Sequence, residues 1–274
     1  MLSPCLRPSR ILQRTHEGHL ATVAKLNLAD PRVVEIAGLA GFDAVWLCHE
    51  HVPNDWLNLE NMIRAARLHN MDALVRVAKG SYSDFIKPLE AGAAGIIIPH
   101  VSSAAEARAI VETTCFHPLG KRALDNGNVN GGFARVSVTE YLSFWSREQL
   151  IFAQIESPEA LEHVEEIAEI PGLTGLFFGP GDFAHRLGKA GAAREPEVIA
   201  ARQRVAQAAR NAGKLSIALN FGSPDTIAAE GHQIVSVGAD VGALNQFFSM
   251  RLEPFQKRAS IKTSSGVALA GGCS

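Results

Sequence analysis

The chain has 274 residues, 47% of them hydrophobic and 20% charged, so it can bury the core of one large α/β domain. Its formal net charge of −2 argues against the basic surface that binds nucleic acid. No apolar run approaches the ~20 residues that cross a bilayer. We therefore expect neither nucleic acid nor a membrane as a partner.

Eight short apolar runs alternate along the chain with amphipathic stretches. In chain order, the predicted strands are residues 21–27, 42–48, 72–78, 94–100, 150–156, 173–179, 214–220 and 233–239. Between them lie helix-capping signals: Asp30-Pro31, Ser102-Ser103 and Ser223-Pro224. Eight mostly apolar strands in one domain of this length favour a closed (β/α)8 TIM barrel over an open doubly wound sheet.

The composition of the chain also indicates its domain boundaries and its cellular compartment. We expect a single barrel domain over residues 1–258, followed by a mobile tail over residues 259–274, because that tail is rich in small and polar residues. The four cysteines form no CxxC pair, and the first residues lack the apolar segment of a secretory signal. These features favour a reducing cytoplasm.

Polar side chains follow several of the predicted strands, at the end of a barrel where active sites lie. Glu156 ends strand five, Asp182 follows strand six, and strand three carries Arg76. The segment CHEHVPND (48–55) follows strand two, and Asn220 ends strand seven. Because strands five and six are expected to be parallel neighbours, Glu156 and Asp182 should lie side by side, where two carboxylates suit a hard divalent cation.

The segment CHEHVPND also supports a different metal site. Two histidines spaced i, i+2 on an extended strand point to the same side, as in HxH zinc sites. His49 and His51 would then belong to a zinc-dependent hydrolase or isomerase. Such an enzyme needs further histidines after strands five and six, where this chain has acids. The zinc enzyme is therefore the alternative interpretation.

Several segments resemble, in order, those of the HpcH/HpaI family of class II, metal-dependent 2-oxo-acid aldolases, over about residues 20 to 250. They are GFDAVWLCHEHVPND, the arginine of strand three, AGAAGIIIPHVSSAAEAR, HPLGKR, AQIES and GLFFGPGDFA. The resemblance implies a pyruvate-type barrel with a Mg, Mn or Co ion. It also implies a lyase that cleaves or forms a carbon–carbon bond between a 2-oxo acid and an aldehyde, and a homo-oligomer, with a hexamer suspected.

The same resemblance implies roles for individual residues. It makes Glu156 and Asp182 the metal ligands, His51 the general base and Arg76 the group that polarises the keto oxygen. Glu90 would support the base from a neighbouring subunit. The implied substrate-binding residues are Arg76, Gln154, Gly179, Pro180, Gly181 and Asp182. Among the departures from the family pattern, Cys48 replaces an acid and His49 replaces a common glycine.

The residue types agree with that chemistry. A class II aldolase needs a base for the proton beside a ketone and positive charge for the resulting enolate, which histidine, a cation and arginine provide. A class I aldolase instead needs a buried lysine that forms a Schiff base. Strands five, six and seven contain no lysine. We expect Lys25 and Lys79, the remaining candidates, to form salt bridges within the barrel.

Overall fold

The computed structural model describes residues 6–219 and 221–258, in which eight parallel strands close into one barrel in the order β1 to β8. The strands are β1 Ala21–Leu26, β2 Ala44–Cys48, β3 Asp72–Arg76, β4 Gly95–Ile98, β5 Leu150–Ile155, β6 Gly175–Phe178, β7 Leu215–Leu219 and β8 Ile234–Ala239. Each lies within one of the eight predicted runs, so the (β/α)8 TIM barrel is confirmed. The predicted tail lies outside the described residues, as does Asn220.

Helices occupy the intervals between strands. They are α1 Arg10–His16, α2 Pro31–Leu39, α3 Trp56–Leu68, α4 Tyr82–Glu90, α5 Ala104–Thr114, α6 Val138–Glu148, α7 Pro158–Glu162, α8 Val164–Ala168, α9 Pro180–Arg186, α10 Pro196–Asn211, α11 Pro224–Ala229 and α12 Asp240–Arg258. The side chains of Asp30, Ser103 and Ser223 each accept a hydrogen bond from a backbone amide in the first helical turn, so the three predicted caps are confirmed.

Two apolar layers hold the barrel together. Alternate residues of the strands face the lumen, where Trp46 and Phe177 pack edge to face with ring centroids 5.1 Å apart. The intervening residues face the helices and form the larger core. Fully burying each large apolar side chain contributes about 1.5–3 kcal/mol. These apolar side chains fill the middle of the lumen. Polar side chains therefore lie at the carboxyl ends of the strands.

Helix α1 covers the N-terminal end of the barrel. Asp72, at the start of β3, is fully buried. Its carboxylate accepts hydrogen bonds from Arg7 Nη2 at 2.6 Å, Ser9 Oγ at 2.6 Å and the Ile11 amide at 2.9 Å. Ile11 itself packs among the lumen residues. Since a buried carboxylate requires such donors, Asp72 ties the N-terminal segment to this end of the barrel.

Helix α12 is exposed along residues 241–256. Its exposed apolar side chains are Val241, Leu244, Phe247, Phe248, Met250, Leu252 and Phe255. Beside its first turn, outside β1 and β8, is a groove of about 360 Å³, which we call the β1/β8 groove. It is lined by Ala24, Leu26, Val33, Ile36, Ala37, Ala40, Phe42, Val237, Gly238, Ala239, Asp240 and Ala243. No described helix is long and apolar enough to cross a membrane.

Candidate active site

Polar side chains from four neighbouring strands meet at the carboxyl end of the barrel, which we call the barrel mouth. Arg76 is the last residue of β3, and Glu156 follows directly after β5. Glu50 and His100 lie in the segments that follow β2 and β4. The parallel register places Cys48 of β2 opposite Arg76, so these strand ends lie at the same level.

Glu50 connects three of these side chains. Its carboxylate lies 2.9 Å from Arg76 Nε, 3.2 Å from His100 Nε2 and 3.5 Å from His51 Nε2. The Glu50 side chain is only 12% exposed, whereas the His51 side chain is 60% exposed. Glu50 therefore holds the buried guanidinium, and the imidazole of His51 lies beside it at the exposed side of the mouth.

Arg76 is fixed on three sides and is 5% exposed. Its Nη2 atom lies 3.2 Å from Cys48 Sγ, and its guanidinium carbon lies 4.9 Å from the centroid of the Trp46 ring. Cation–π contact and the Glu50 ion pair both hold the guanidinium in this position. The result is a permanent positive charge with a defined orientation at the mouth.

Glu156 is 1% exposed, and both of its oxygens are held. Oε1 accepts a hydrogen bond from the His100 amide at 2.7 Å and lies 2.8 Å from His100 Nδ1. Oε2 accepts a hydrogen bond from Gln154 Nε2. Burial raises the pKa of Glu156, the His100 hydrogen bond partly offsets this, and the negative charge of Asp182 raises the pKa further.

The turn after β6 brings Asp182 to the same site. Gly179 directly follows β6, and a Cβ atom there would lie 2.7 Å from Glu156 Oε2, so only glycine lets the two segments approach this closely. Gly181 has open space in the direction of a Cβ. The amides of Gly181 and Asp182 lie in the first turn of α9, where helix geometry leaves them without an intrahelical acceptor.

These two acids fit a divalent cation as a partial ligand set. Glu156 and Asp182 are near enough for their charges to interact, and a cation would relieve that repulsion. Within residues 6–219 and 221–258, no three His, Cys, Asp or Glu side chains are placed to hold a metal together. The chain would thus supply two oxygen ligands, and water and substrate the others, as Mg²⁺ sites commonly do.

The premise of the HxH zinc site is wrong for this chain. Strand β2 ends at Cys48, and residues 49–51 form a bend, so the alternation of an extended strand does not apply to them. His49 Nε2 lies 2.9 Å from the carbonyl oxygen of Asn54, and the ring packs on Trp56 with centroids 4.4 Å apart. His49 Nδ1 is buried. His49 therefore packs against its own loop and does not form a shared donor face with His51.

Glu90 lies at the C-terminal end of α4, which is the end of that helix farther from the barrel mouth. Its carboxylate is 3.9 Å from Arg122 Nη2, and burial raises its pKa. Within the described part of this chain it contacts none of the mouth residues named above. Its predicted support of the base stays a prediction and requires a neighbouring subunit.

Sequence reasoning assigned no catalytic role to Glu50 or His100. Glu50 stands between the two histidines that suggested zinc, and the bend after Cys48 directs it to Arg76 instead. His100 has a backbone φ of 56°, which is rare for a residue other than glycine and turns its amide and ring toward Glu156. Its only signal in the sequence is its position at the end of a predicted strand.

Comparison with known proteins identifies the family that this chain resembles. A sequence profile of the HpcH/HpaI aldolase/citrate lyase family matches residues 23–246. A hydroxypyruvate/pyruvate aldolase of Pseudomonas aeruginosa is 32% identical over 244 residues, which cover 86% of this chain and 88% of that protein. A 2-keto-3-deoxy-L-rhamnonate aldolase of Klebsiella pneumoniae is 30% identical over 230 residues, which cover 82% and 84% of the respective chains.

The same family appears among solved structures. The crystal structure of an HpcH/HpaI aldolase from Desulfitobacterium hafniense has a TM-score of 0.84 at 26% identity, over 90% of this chain and 96% of that one. The profile match, the two aldolase relatives and this structure agree with one another and with the observed barrel. The chain therefore belongs to the HpcH/HpaI aldolase/citrate lyase family, a family of carbon–carbon lyases.

Proposed function

We propose that this protein is a metal-dependent class II aldolase that cleaves or forms a carbon–carbon bond between a pyruvate-like 2-oxo acid and an aldehyde. The observation that carries the proposal is the convergence of Glu156, Arg76 and the Glu50–His51 pair at one barrel mouth. These groups supply anionic ligands, a fixed positive charge and a base. The proposed partners are small molecules, and the cytoplasmic location stays a prediction.

Glu156 and Asp182 are the residues proposed to bind Mg, Mn or Co. The cation would supply a Lewis acid that stabilises negative charge on the enolate oxygen. His100 and Gln154 hold the carboxylate of Glu156 in place, and such outer hydrogen bonds orient metal ligands. The chain thereby presents a carboxylate whose position does not depend on the bound ion.

Arg76 and His51 are proposed to carry the proton-transfer chemistry. The guanidinium of Arg76 is preorganised by Glu50, Cys48 and Trp46, so it can bind the keto oxygen without rearrangement. His51 accepts the proton from the carbon beside the ketone, and Glu50 stabilises the imidazolium that forms. Removal of that proton gives the enolate, which attacks the aldehyde.

The turn from Gly179 through Pro180 and Gly181 to Asp182 is proposed to bind the carboxylate of the 2-oxo acid. The free amides of the first turn of α9 and the open space above Gly181 support this role. Gln154 is proposed to line the same subsite. Its Nε2 atom holds Glu156, whereas its Oε1 atom is buried with no hydrogen-bond partner among the described residues.

Exchange of the methyl protons of pyruvate with deuterated water tests this function without any aldehyde. With Mg²⁺, Mn²⁺ or Co²⁺ present, we expect the wild type to catalyse exchange and His51→Ala to lose at least ~10²-fold, because general-base catalysis contributes ~10²–10⁴-fold. Metal affinity should not change in His51→Ala. His49→Ala is the matched control, since the His49 ring packs on Trp56. Exchange at the wild-type rate in His51→Ala would contradict the assignment.

We also propose that the protein is a homo-oligomer in which α12 of one copy occupies the β1/β8 groove of another. Helix α12 starts at the edge of this groove, yet its apolar side chains are exposed, and the groove beside it is lined mostly by apolar residues. The helix and groove are therefore complementary surfaces that one chain leaves unpaired. Such an assembly is also what the prediction for Glu90 requires.

Charge placed in either surface should dissociate the assembly. We expect Phe248→Asp on α12 and Ile36→Asp in the groove to lower the mass measured by light scattering, because each buries a carboxylate in an apolar contact. Leu68→Asp is the control, since Leu68 is a highly exposed apolar residue on α3. A wild-type monomer, or an unchanged mass in both variants, would contradict the proposal.

A further inference from the structure

Lys25 lies on the lumen side of β1, near the barrel mouth. Its neighbours Ala24 and Leu26 face the other way, toward the β1/β8 groove. Lys25 Nζ lies 4.8 Å from the centroid of the Trp46 ring, the same ring that packs against Arg76. One indole in the lumen therefore contacts two cationic side chains.

The predicted salt bridge of Lys25 is absent from the described part of the chain, where its ammonium has no hydrogen bond and no ion pair. Lys79, by contrast, pairs with Glu106. Nearby carboxylates are already engaged: Asp240 accepts the amides of Asn27 and Leu28 at 2.9 Å each, and Glu50 holds Arg76. Burial and then the charge of Arg76 lower the pKa of Lys25.

A half-buried ammonium without a counter-ion is unfavourable, and an anionic ligand would recover that free energy. In the middle of an apolar core, an apolar residue could replace the lysine without loss of stability. Here it stands at the open end of a barrel, where an incoming ligand can reach it. The charge pattern therefore indicates a binding site for an anion on the β1 side of the mouth.

The position of β1 indicates which substrate this anion belongs to. Under the function proposed above, the 2-oxo acid lies between β3, β5 and β6, where Arg76, Glu156 and the Gly179–Asp182 turn are found. Strand β1 pairs with β2 and β8 and lies across the barrel from β5. His51, which follows β2, is on the same side as Lys25, so the carbon that loses its proton faces this side.

We propose that Lys25 binds a carboxylate on the aldehyde substrate, so that this aldolase prefers aldehydes that carry a negative charge. The assignment rests on the proposed aldolase function. It makes Lys25 a specificity-determining residue, with Trp46 holding the ammonium in position. It also accounts for a lysine at a strand end where no Schiff base is required.

The test compares glyoxylate with glycolaldehyde, and succinic semialdehyde with 4-hydroxybutanal, as acceptors for pyruvate. We expect the wild type to favour the charged member of each pair in kcat/KM. In Lys25→Met that ratio should fall by ~10-fold or more, the size expected for losing one charged hydrogen bond. Lys25→Arg, which keeps the charge, should restore part of it. Lys214→Met is the control, because Lys214 is a half-buried lysine bonded to the carbonyl oxygen of Leu173, before β7.

Three results would overturn the assignment: equal preference for charged and neutral aldehydes in the wild type, an unchanged ratio in Lys25→Met, or trapping of Lys25 by pyruvate and borohydride. The affinity of the metal-free protein for succinate tests the anion site without requiring turnover. We expect Lys25→Met, and not Lys214→Met, to weaken it. Pyruvate exchange is measured separately, so a failure there contradicts the aldolase function and not the anion site.

Discussion

Replacing Glu156 with glutamine is expected to abolish metal-dependent turnover while leaving the barrel folded. The substitution keeps the size of the side chain but removes one of the two proposed anionic oxygen ligands. Metal affinity measured by calorimetry should fall by at least ~10²-fold, since altering even an outer-shell partner costs 10–100-fold. Asp182→Asn should have the same effect. Full metal affinity and activity in either variant would rule out this site.

Thermal unfolding of Glu156→Gln gives a second, independent expectation. Burial raises the pKa of Glu156, so without metal the folded state holds the ionised form less favourably than the unfolded chain does. At a pH above both pKa values the carboxylate therefore destabilises the fold. The metal-free variant should melt at the same temperature as the wild type or higher. Glu165→Gln, in an exposed pair with Arg204, is the control.

Arg76→Lys is expected to lower kcat by at least ~10²-fold, the size typical of removing one preorganised donor. Lysine keeps the charge but lacks the planar fork with which Arg76 contacts Glu50 and Cys48 while facing the proposed substrate site. An interaction that is stronger in the transition state appears in kcat and not only in KM.

Steady-state kinetics with pyruvate and a saturating aldehyde check this expectation. Arg204→Lys is the matched control, because Arg204 forms a two-pronged pair with Glu165 on the surface. An unchanged kcat with a modest rise in KM would show that Arg76 contributes to ground-state binding alone. Another group in the mouth would then have to polarise the keto oxygen.

The barrel could be predicted because its determinants are local. Each strand is a short apolar run bounded by turn or capping residues, and burial on both faces of a parallel sheet demands that composition. The same reasoning could predict the location of Glu156, Asp182 and Arg76, because a strand end places them at the mouth. One detail does not follow from that pattern, because the segment between β5 and β6 forms two short helices, α7 and α8, that meet at His163.

The contacts of the site depend on features that the sequence pattern does not contain. The zinc hypothesis assumed that β2 continues through His51, whereas the strand ends three residues earlier. The role of His100 depends on a left-handed backbone and on a carboxylate 56 positions away. Lys25 was expected to pair with an acid, and only the three-dimensional arrangement shows that the neighbouring acids are already engaged.

Under the proposed aldolase function, the closure of the barrel by α1 constrains the kinetic order of the reaction. With Asp72 tying the N-terminal segment across one end, both substrates enter and both products leave through the mouth. Arg76 and Glu156 are buried deep in this opening, whereas His51 is at its rim. A 2-oxo acid seated at the bottom is covered once the aldehyde arrives. The depth of these residues in the mouth therefore favours a compulsory sequence for the proposed reaction, in which the 2-oxo acid binds first and is released last.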